Sequence, residues 1–137
     1  MKKLILSNGA EGTHAGNITK AAETPIPQKY LLCKLNSDGT VAISGAADYP
    51  IGVATDEAEA AGDFVNVALL GASDTVKILA SEAIPAGEIV VADSGGEVKA
   101  LPAASGTYYQ VGIALNAVNA NKLVECVSCL PVQHVIS

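Results

Sequence analysis

The sequence has almost no large aromatic side chains and few basic ones. Its 137 residues include no Trp, one Phe and four Tyr, and 8 Lys or Arg stand against 14 Asp or Glu, for a net charge of −6. A core without bulky rings is thin, so we expect no deep cavity for a large cofactor. The negative charge repels a phosphate backbone, and we therefore expect no nucleic acid partner.

Long apolar runs are missing too. None approaches the roughly 20 residues that a membrane span needs, so we expect no membrane partner. Residues 1–6 begin like a secretory leader, but the polar residues 7–9 cut the apolar stretch far short of the seven or so residues that a leader needs. We interpret the start as a mature amino terminus and expect a soluble protein made in the cytosol.

The residue patterns that support catalysis are also missing. The sequence contains no G-x-S-x-G, H-E-x-x-H, P-loop or G-x-G-x-x-G motif. Its two histidines, His14 and His134, lie near the ends of the sequence, where a general base is poorly held. We therefore expect that the protein is not an enzyme, with no catalytic residue and no cofactor.

Two clusters raise the question of a metal site. Cys126 and Cys129 form a C-x-x-C, the spacing of a zinc half-site or a redox pair. Residues 123–130 predict a strand, however, and positions i and i+3 of a strand face opposite sides, so the two thiols cannot share one ion. The acidic cluster within residues 56–63 lacks the ligand order of a calcium loop. We expect inert thiols and no metal.

The sequence does contain an internal duplication. Residues 49–71 align without a gap with residues 109–131 at an offset of 60, with six identities in 23 positions, Val67 with Val127 among them. Upstream, an Ile-Pro dipeptide and a Gly-containing turn recur at offsets of 57 to 58. Two copies are too few for a solenoid. We predict two halves, residues 22–71 and 80–131, packed around a pseudo-twofold axis.

Local signals in each half favour short strands. Gly-containing turns separate apolar segments, as in hairpins. The predicted strands are 30–35, 40–43, 51–55, 64–70, 88–92, 97–101, 111–115 and 123–130, and 76–80 is predicted to bridge the halves. Short strands punctuated by Gly and Pro indicate one all-β domain over residues 22–137, a small barrel-like or sandwich structure of the β-clip or β-tulip type.

Residues 1–21 differ from the rest of the sequence. They are rich in Gly, Ser, Thr and Asn and offer few apolar contacts, which predicts a flexible N-terminal arm. Two roles for such an arm stay open. It frays, or it becomes ordered on a partner, for example by adding a strand to an exposed sheet edge.

Four short motifs resemble those of a known family. They are I-G-V-A at 51–54, A-G-D at 61–63, A-I-P-A-G-E-I-V at 83–90 and V-G-I-A at 111–114. In this order, over residues 22–130, the sequence resembles the capsid decoration proteins of tailed bacteriophages, also called head cement proteins. The resemblance implies a structural virion protein on the outer capsid surface. It also implies a homotrimer that binds the major capsid protein and clamps neighbouring subunits together.

The leading arm of such proteins often becomes ordered against the shell. Carried onto this sequence, the resemblance implies a capsid contact through the arm residues Thr13, His14, Asn17, Ile18, Thr19 and Lys20.

Two other functions stay open. Residues 84–90 also resemble the strand entry of β-clip domains attached to sugar-handling enzymes, and a carbohydrate- or surface-binding module would use Tyr108 and Tyr109 as its flat aromatic face. A phage tail or fibre component is the other alternative, and it would assemble into longer rods.

Overall fold

The computed structural model describes residues 14–137, which form two five-stranded antiparallel sheets. The strands are β1 (Asn17–Ala21), β2 (Leu31–Leu35), β3 (Val41–Ile43), β4 (Gly52–Ala54), β5 (Phe64–Leu69), β6 (Val76–Leu79), β7 (Ile89–Ala92), β8 (Val98–Ala100), β9 (Gly106–Ala114) and β10 (Leu123–Ile136). The one helical segment in that range is a 3-10 turn at Ser94–Gly96. Across residues 14–137, no helix has the length and apolar character to cross a membrane.

Each sheet contains a hairpin at the turn that the sequence predicts. Between β2 and β3, the Asp38 carboxylate accepts hydrogen bonds from the Thr40 amide (3.0 Å) and the Thr40 hydroxyl (2.7 Å), and Gly39 has a φ of +89°. Between β7 and β8, Gly95 and Gly96 have φ values of +70° and +76°. Glycine adopts this left-handed backbone without a steric penalty, which allows the chain to reverse here.

The two sheets have the same strand order. The first runs β1-β5-β4-β2-β3 and the second β6-β10-β9-β7-β8. A parallel bridge curls each sheet toward a barrel, between Ala22 and Val41 in the first half and between Ala80 and Val98 in the second. The chain is therefore an all-β pair of nearly closed barrel-like halves, which confirms the predicted fold class and the internal duplication.

The strand pairing corrects the ungapped alignment of the halves. The offset of 60 holds for β4 and β9, where Ala54 corresponds to Ala114, but the residue opposite Ala54 is Val67 and the residue opposite Ala114 is Cys126. The offset is thus 59 in β5 and β10, and the predicted match of Val67 with Val127 is wrong. A slip of one residue turns a side chain to the other face of a strand. Val67 and Cys126 are accordingly buried, and Val127 is 52% exposed.

Part of the predicted arm belongs to the first sheet. Residues 17–21 form β1, which pairs antiparallel with β5, and Ile18 packs against the core of the first half. An ordered strand therefore replaces the flexible segment expected there, because this short stretch has an apolar side chain to bury. Residues 1–13 of the predicted arm lie outside the described residues. β6 has the equivalent place in the second sheet, so the second half starts at Val76 rather than at residue 80.

Two apolar cores stabilise the fold. One fills the interior of the first half and contains Leu31 and Cys33. The other fills the interior of the second half and is completed by Leu32 and Val53, which project from the outer face of the first sheet. Because alternate residues of a strand point to opposite faces, the first sheet contributes to both cores and is buried on both sides.

The second half covers the first half from one side. The Leu79 amide of β6 donates a hydrogen bond to the Tyr30 carbonyl (3.0 Å), and the Gly96 amide donates to the Ser44 carbonyl (2.9 Å). A twofold axis would make such contacts reciprocal. Ile113 on the outer face of the second sheet is instead 44% exposed. The predicted pseudo-twofold arrangement is therefore wrong, and the halves are related head to tail.

Candidate interaction surfaces

The surface of the described residues offers shallow grooves and no metal-binding cluster. Within residues 14–137, no three His, Cys, Asp or Glu side chains lie close enough together to hold a metal ion. A groove of about 450 Å³ is lined by His14, residues 69–73 and Leu130. A second groove of about 240 Å³ lies where the halves meet and includes Tyr30 and Lys77.

The acidic cluster organises its own loop. One oxygen of Asp63 accepts hydrogen bonds from the Glu59 amide (3.1 Å) and the Ala60 amide (3.0 Å), and Asp56 accepts one from the Asn66 amide (2.8 Å). These carboxylates therefore fix the loop between β4 and β5 by accepting backbone donors.

The three thiols are shielded to different degrees. Cys33 and Cys126 are fully buried, and burial raises the pKa of each thiol to about 12. Cys129 is half-buried, its pKa is also raised by burial, and its sulfur lies 3.8 Å from the Gln110 carbonyl oxygen. A raised pKa disfavours the thiolate, which is the reactive and metal-binding form.

The predicted arm residues separate into two groups in the structure. Asn17, Ile18, Thr19 and Lys20 lie on β1, at the edge of the first sheet, whereas His14 lines the groove beside Leu130 of β10. Thr13 lies outside the described residues. The segment therefore runs from the edge of the first sheet to β10 of the second half.

The second half carries a two-stranded extension that the first half lacks. β9 and β10 pair from Val132 opposite Gln110 to Ile136 opposite Gly106, and an irregularity between Ser128 and Val132 separates this pairing from the sheet. We call residues 106–110 and 130–136 the ribbon. Beyond Gln110, no third strand within residues 14–137 pairs with it. Its outer backbone edges are therefore open to a partner.

The ribbon also concentrates exposed apolar side chains. Leu130, Val132 and Val135 are 61%, 52% and 65% exposed. The predicted strand ends at residue 130 and does not include the extension. The signal that indicates it is the β-branched pair Val135-Ile136 after Val132, which has high strand propensity.

The two adjacent tyrosines of the ribbon do not form one flat face. The Tyr109 ring meets the Tyr49 ring edge-on, with centroids 5.7 Å apart, and the Tyr109 hydroxyl lies 3.3 Å from the Gln133 amide nitrogen. The Tyr108 hydroxyl donates a hydrogen bond to the Ala104 carbonyl (2.9 Å). Neighbouring strand residues point to opposite faces, so a sugar ring cannot stack on both. The arrangement gives no support to the carbohydrate-binding alternative.

A second exposed surface lies on the sheet itself. In the first half, Leu32, Val53 and Ala68 pair across β2, β4 and β5 on the outer face; Leu32 and Val53 are fully buried under the second half, and Ala68 packs there half-buried. The same row in the second half consists of Ile89, Ile113 and Val127, paired across β7, β9 and β10. We call these three residues the outer row. Its members are half-buried to exposed.

Comparison with known proteins identifies the family. The structure is similar to the crystal structure of the head fiber gp8.5 N base in bacteriophage phi29, with a TM-score of 0.62 and 18% sequence identity over 86% of this chain and 98% of that chain. A search among curated proteins finds no match. Residues 11–129 match the phage cement protein family. With most of its length matched, the chain belongs to the phage cement protein family, whose role is structural stabilisation of the capsid in the virion.

Proposed function

We propose that this protein binds the outer surface of a phage head, bridges neighbouring subunits of the major capsid protein and acts there as a homotrimer. It is made in the host cytoplasm and joins the shell from outside. It contributes binding free energy only when the subunits of the major capsid protein are correctly placed. It carries out no catalysis. Membership of the cement family supports the capsid partner, and the surface features below support the way it is bound.

The observation that carries this proposal is the ribbon. It combines unpaired strand edges with Leu130, Val132 and Val135, which are all more than half exposed. Main-chain pairing gives a protein partner affinity, and apolar anchors give it specificity. The first half has no comparable element, because β4 and β5 have only three and six residues.

Part of the arm lies beside this surface. His14 shares a groove with Leu130 at the base of the ribbon, and the exposed Asn17 and Thr19 follow on β1. We place the capsid contact on the ribbon together with the arm residues Thr13, His14, Asn17, Ile18, Thr19 and Lys20.

A trimer would make several weak contacts effective at once. Once one subunit is bound, the others meet the shell at a high local concentration, so avidity exceeds the affinity of any single contact. A clamp of this kind needs no deep pocket, in agreement with the shallow grooves of the described residues.

The direct test uses co-sedimentation with mature heads of the cognate phage that lack this protein. We expect the wild-type protein to sediment with the heads and to raise their resistance to heat. Val135→Asp should weaken binding about tenfold or more, the loss typical of an anchor residue. Val135→Ile keeps an apolar side chain and should bind normally. Failure of the wild-type protein to bind would contradict the proposal.

A further inference from the structure

The contact between the halves buries an apolar row on one half only. In the first half the row is covered by β6 and by the turn Ser94–Gly96 of the second half. A Cβ placed on Gly96 would lie 2.9 Å from the Leu32 carbonyl oxygen and 3.0 Å from the Leu31 Cβ. The covering turn therefore fits closely against β2, and only a residue without a side chain fits there.

The elements of that contact have counterparts in the other half, although the Gly39 amide donates a hydrogen bond to the Asn36 carbonyl within its own turn (3.0 Å). The pairing of the halves makes Gly39 the counterpart of Gly96, with φ values of +89° and +76°. Among the described residues, nothing lies within 4 Å of a Cβ placed on Gly39. Tyr30, which accepts the hydrogen bond from β6, has Gly87 as its counterpart, and both have left-handed backbone, with φ values of +69° and +85°.

The outer row is continuous with the contact that already exists. Ser128, next to Val127 on β10, accepts a hydrogen bond from the Gly71 amide of the first half (3.0 Å). The boundary between the halves thus reaches the end of the outer row. When two similar halves contact each other on one side only, each half keeps one contact face uncovered. The same contact between different copies of the chain covers both faces.

We infer that the outer row, Ile89, Ile113 and Val127, is covered by the first half of a second copy of this chain, in the same head-to-tail geometry that joins the halves within one chain. The turn at residues 36–40 of the second copy takes the place of Ser94–Gly96, and Ala21, at the end of β1, takes the place of Leu79 of β6. The Ala21 amide then donates to the Gly87 carbonyl of the neighbouring copy, as the Leu79 amide donates to Tyr30. This inference rests on the proposed homotrimer, in which the contact repeats three times around a closed ring, and its test does not need capsid binding.

Two variants test the two sides of this contact. Val127→Asp places a charge on the outer row, at a position that is 52% exposed and tolerates a polar side chain in a single chain. Gly39→Asn adds a side chain where the inferred contact has no room, and Asn tolerates left-handed backbone. Val135→Asp, the same substitution on the ribbon of the same strand, is the matched control.

The readout is the mass in solution by sedimentation over a concentration series, with thermal unfolding to establish that each variant is folded. We expect the wild-type protein and Val135→Asp to have the mass of three chains. Val127→Asp and Gly39→Asn should each fall to the 13.8 kDa of one chain. A mixture of the two variants should form a dimer, because each retains the surface that the other has lost.

Several results would overturn the inference. A wild-type protein that stays monomeric at every concentration would mean that the outer row is covered within the chain or by another protein. If both variants keep the wild-type mass, the copies associate through another surface. If Val127→Asp stays trimeric but no longer binds heads, the outer row is a capsid contact. If the variants dissociate as expected but the wild-type trimer does not bind heads, the inference stands and the proposed function fails.

Discussion

The two halves of this chain share a strand order and differ in what covers them. The outer face of the first sheet is buried under the second half, whereas the outer row of the second sheet is exposed. The first half has short β4 and β5 strands, and the second extends their counterparts into the ribbon. The duplication thus preserved the backbone while the surfaces diverged. The second half presents the ribbon and the outer row, and the first half presents the edge of β1 and the turn at residues 36–40.

The largest expected effect tests the difference in burial. Leu32→Ala removes a fully buried side chain between the halves and should lower the free energy of unfolding by about 2–5 kcal/mol. Ile113→Ala, in the equivalent row of the second half, should lower it by less than about 1 kcal/mol. Urea unfolding measures both losses, at protein concentrations low enough to keep the protein a single chain. Equal losses would contradict the one-sided contact between the halves.

A smaller effect tests what the halves have in common. A Cβ on Gly52 would lie 2.5 Å from the Ala68 carbonyl oxygen, and a Cβ on Gly112 would meet the Val127 carbonyl oxygen even more closely. Gly52→Ala and Gly112→Ala should therefore each cost about 1–3 kcal/mol through backbone displacement. Thermal unfolding compares them. A neutral effect at one position alone would show that the close strand approach is kept in only one half.

Asp93 of the second half should make the stability of the protein depend on acidic pH, in addition to Asp38 and Asp48 of the first half, whose pKa values are also lowered by hydrogen bonds from Thr40 and from the Gly45 amide. Partial burial of Asp93 opposes its ionisation, but hydrogen bonds from the Ser81 hydroxyl (2.7 Å) and the Ser94 amide (2.8 Å), with the Lys99 ammonium nearby, hold its pKa below 3.8. A lowered pKa contributes stability that is complete above the pKa of the unfolded chain and is lost as the pH falls through the pKa of the folded one.

Asp93→Asn should therefore weaken the dependence of stability on pH below about pH 4. The equivalent residue of the first half is Asn36, whose amide nitrogen donates to the Thr40 hydroxyl. Asn36→Ala removes that bond without removing a titrating group, so it should leave the pH dependence unchanged. Unfolding by urea at a series of acidic pH values distinguishes the two, and identical slopes for wild type and Asp93→Asn would contradict this role.

The smallest expected effect concerns the thiols, since no stability change is involved. Cys33 in the first core and Cys126 in the second are equally buried, and burial raises both pKa values to about 12. A thiol reagent at mildly alkaline pH should modify Cys129 alone, slowly, in the folded protein and all three after unfolding. Rapid modification of Cys126 would indicate that the second core opens more readily than the first.

Local sequence signals predicted much of the fold. Asp38-Gly39 and the paired glycines at residues 95–96 mark hairpins because few residues other than glycine accept the backbone that these turns need. The ungapped alignment failed after the loop that precedes β10, where one residue is missing. An alignment by residue identity cannot detect this one-residue shift, because Val127 is as apolar as Val67 and differs only in the face of the strand to which it points.

The surfaces were harder to predict than the strands. The sequence of the predicted arm has no periodicity that shows which residues join a sheet. Residues 17–21 form β1 because β5 offers a strand to pair with. Whether an apolar residue such as Ile113 is buried depends on the neighbouring half, which is a tertiary contact between residues far apart in the sequence. The predicted strand ended at residue 130 and so did not include the ribbon. Pro131, which cannot donate a backbone hydrogen bond, lies buried in the irregularity between Ser128 and Val132.

That irregularity separates two registers within a single strand. Loss or gain of one residue between Ser128 and Val132 would turn each side chain of residues 132–136 to the opposite face of the ribbon and would leave both barrels unaltered. A change in the length of this stretch would therefore alter which side chains the ribbon presents to a partner while both sheets stay the same. Relatives with matching scaffolds would be expected to diverge first in the length of this short stretch.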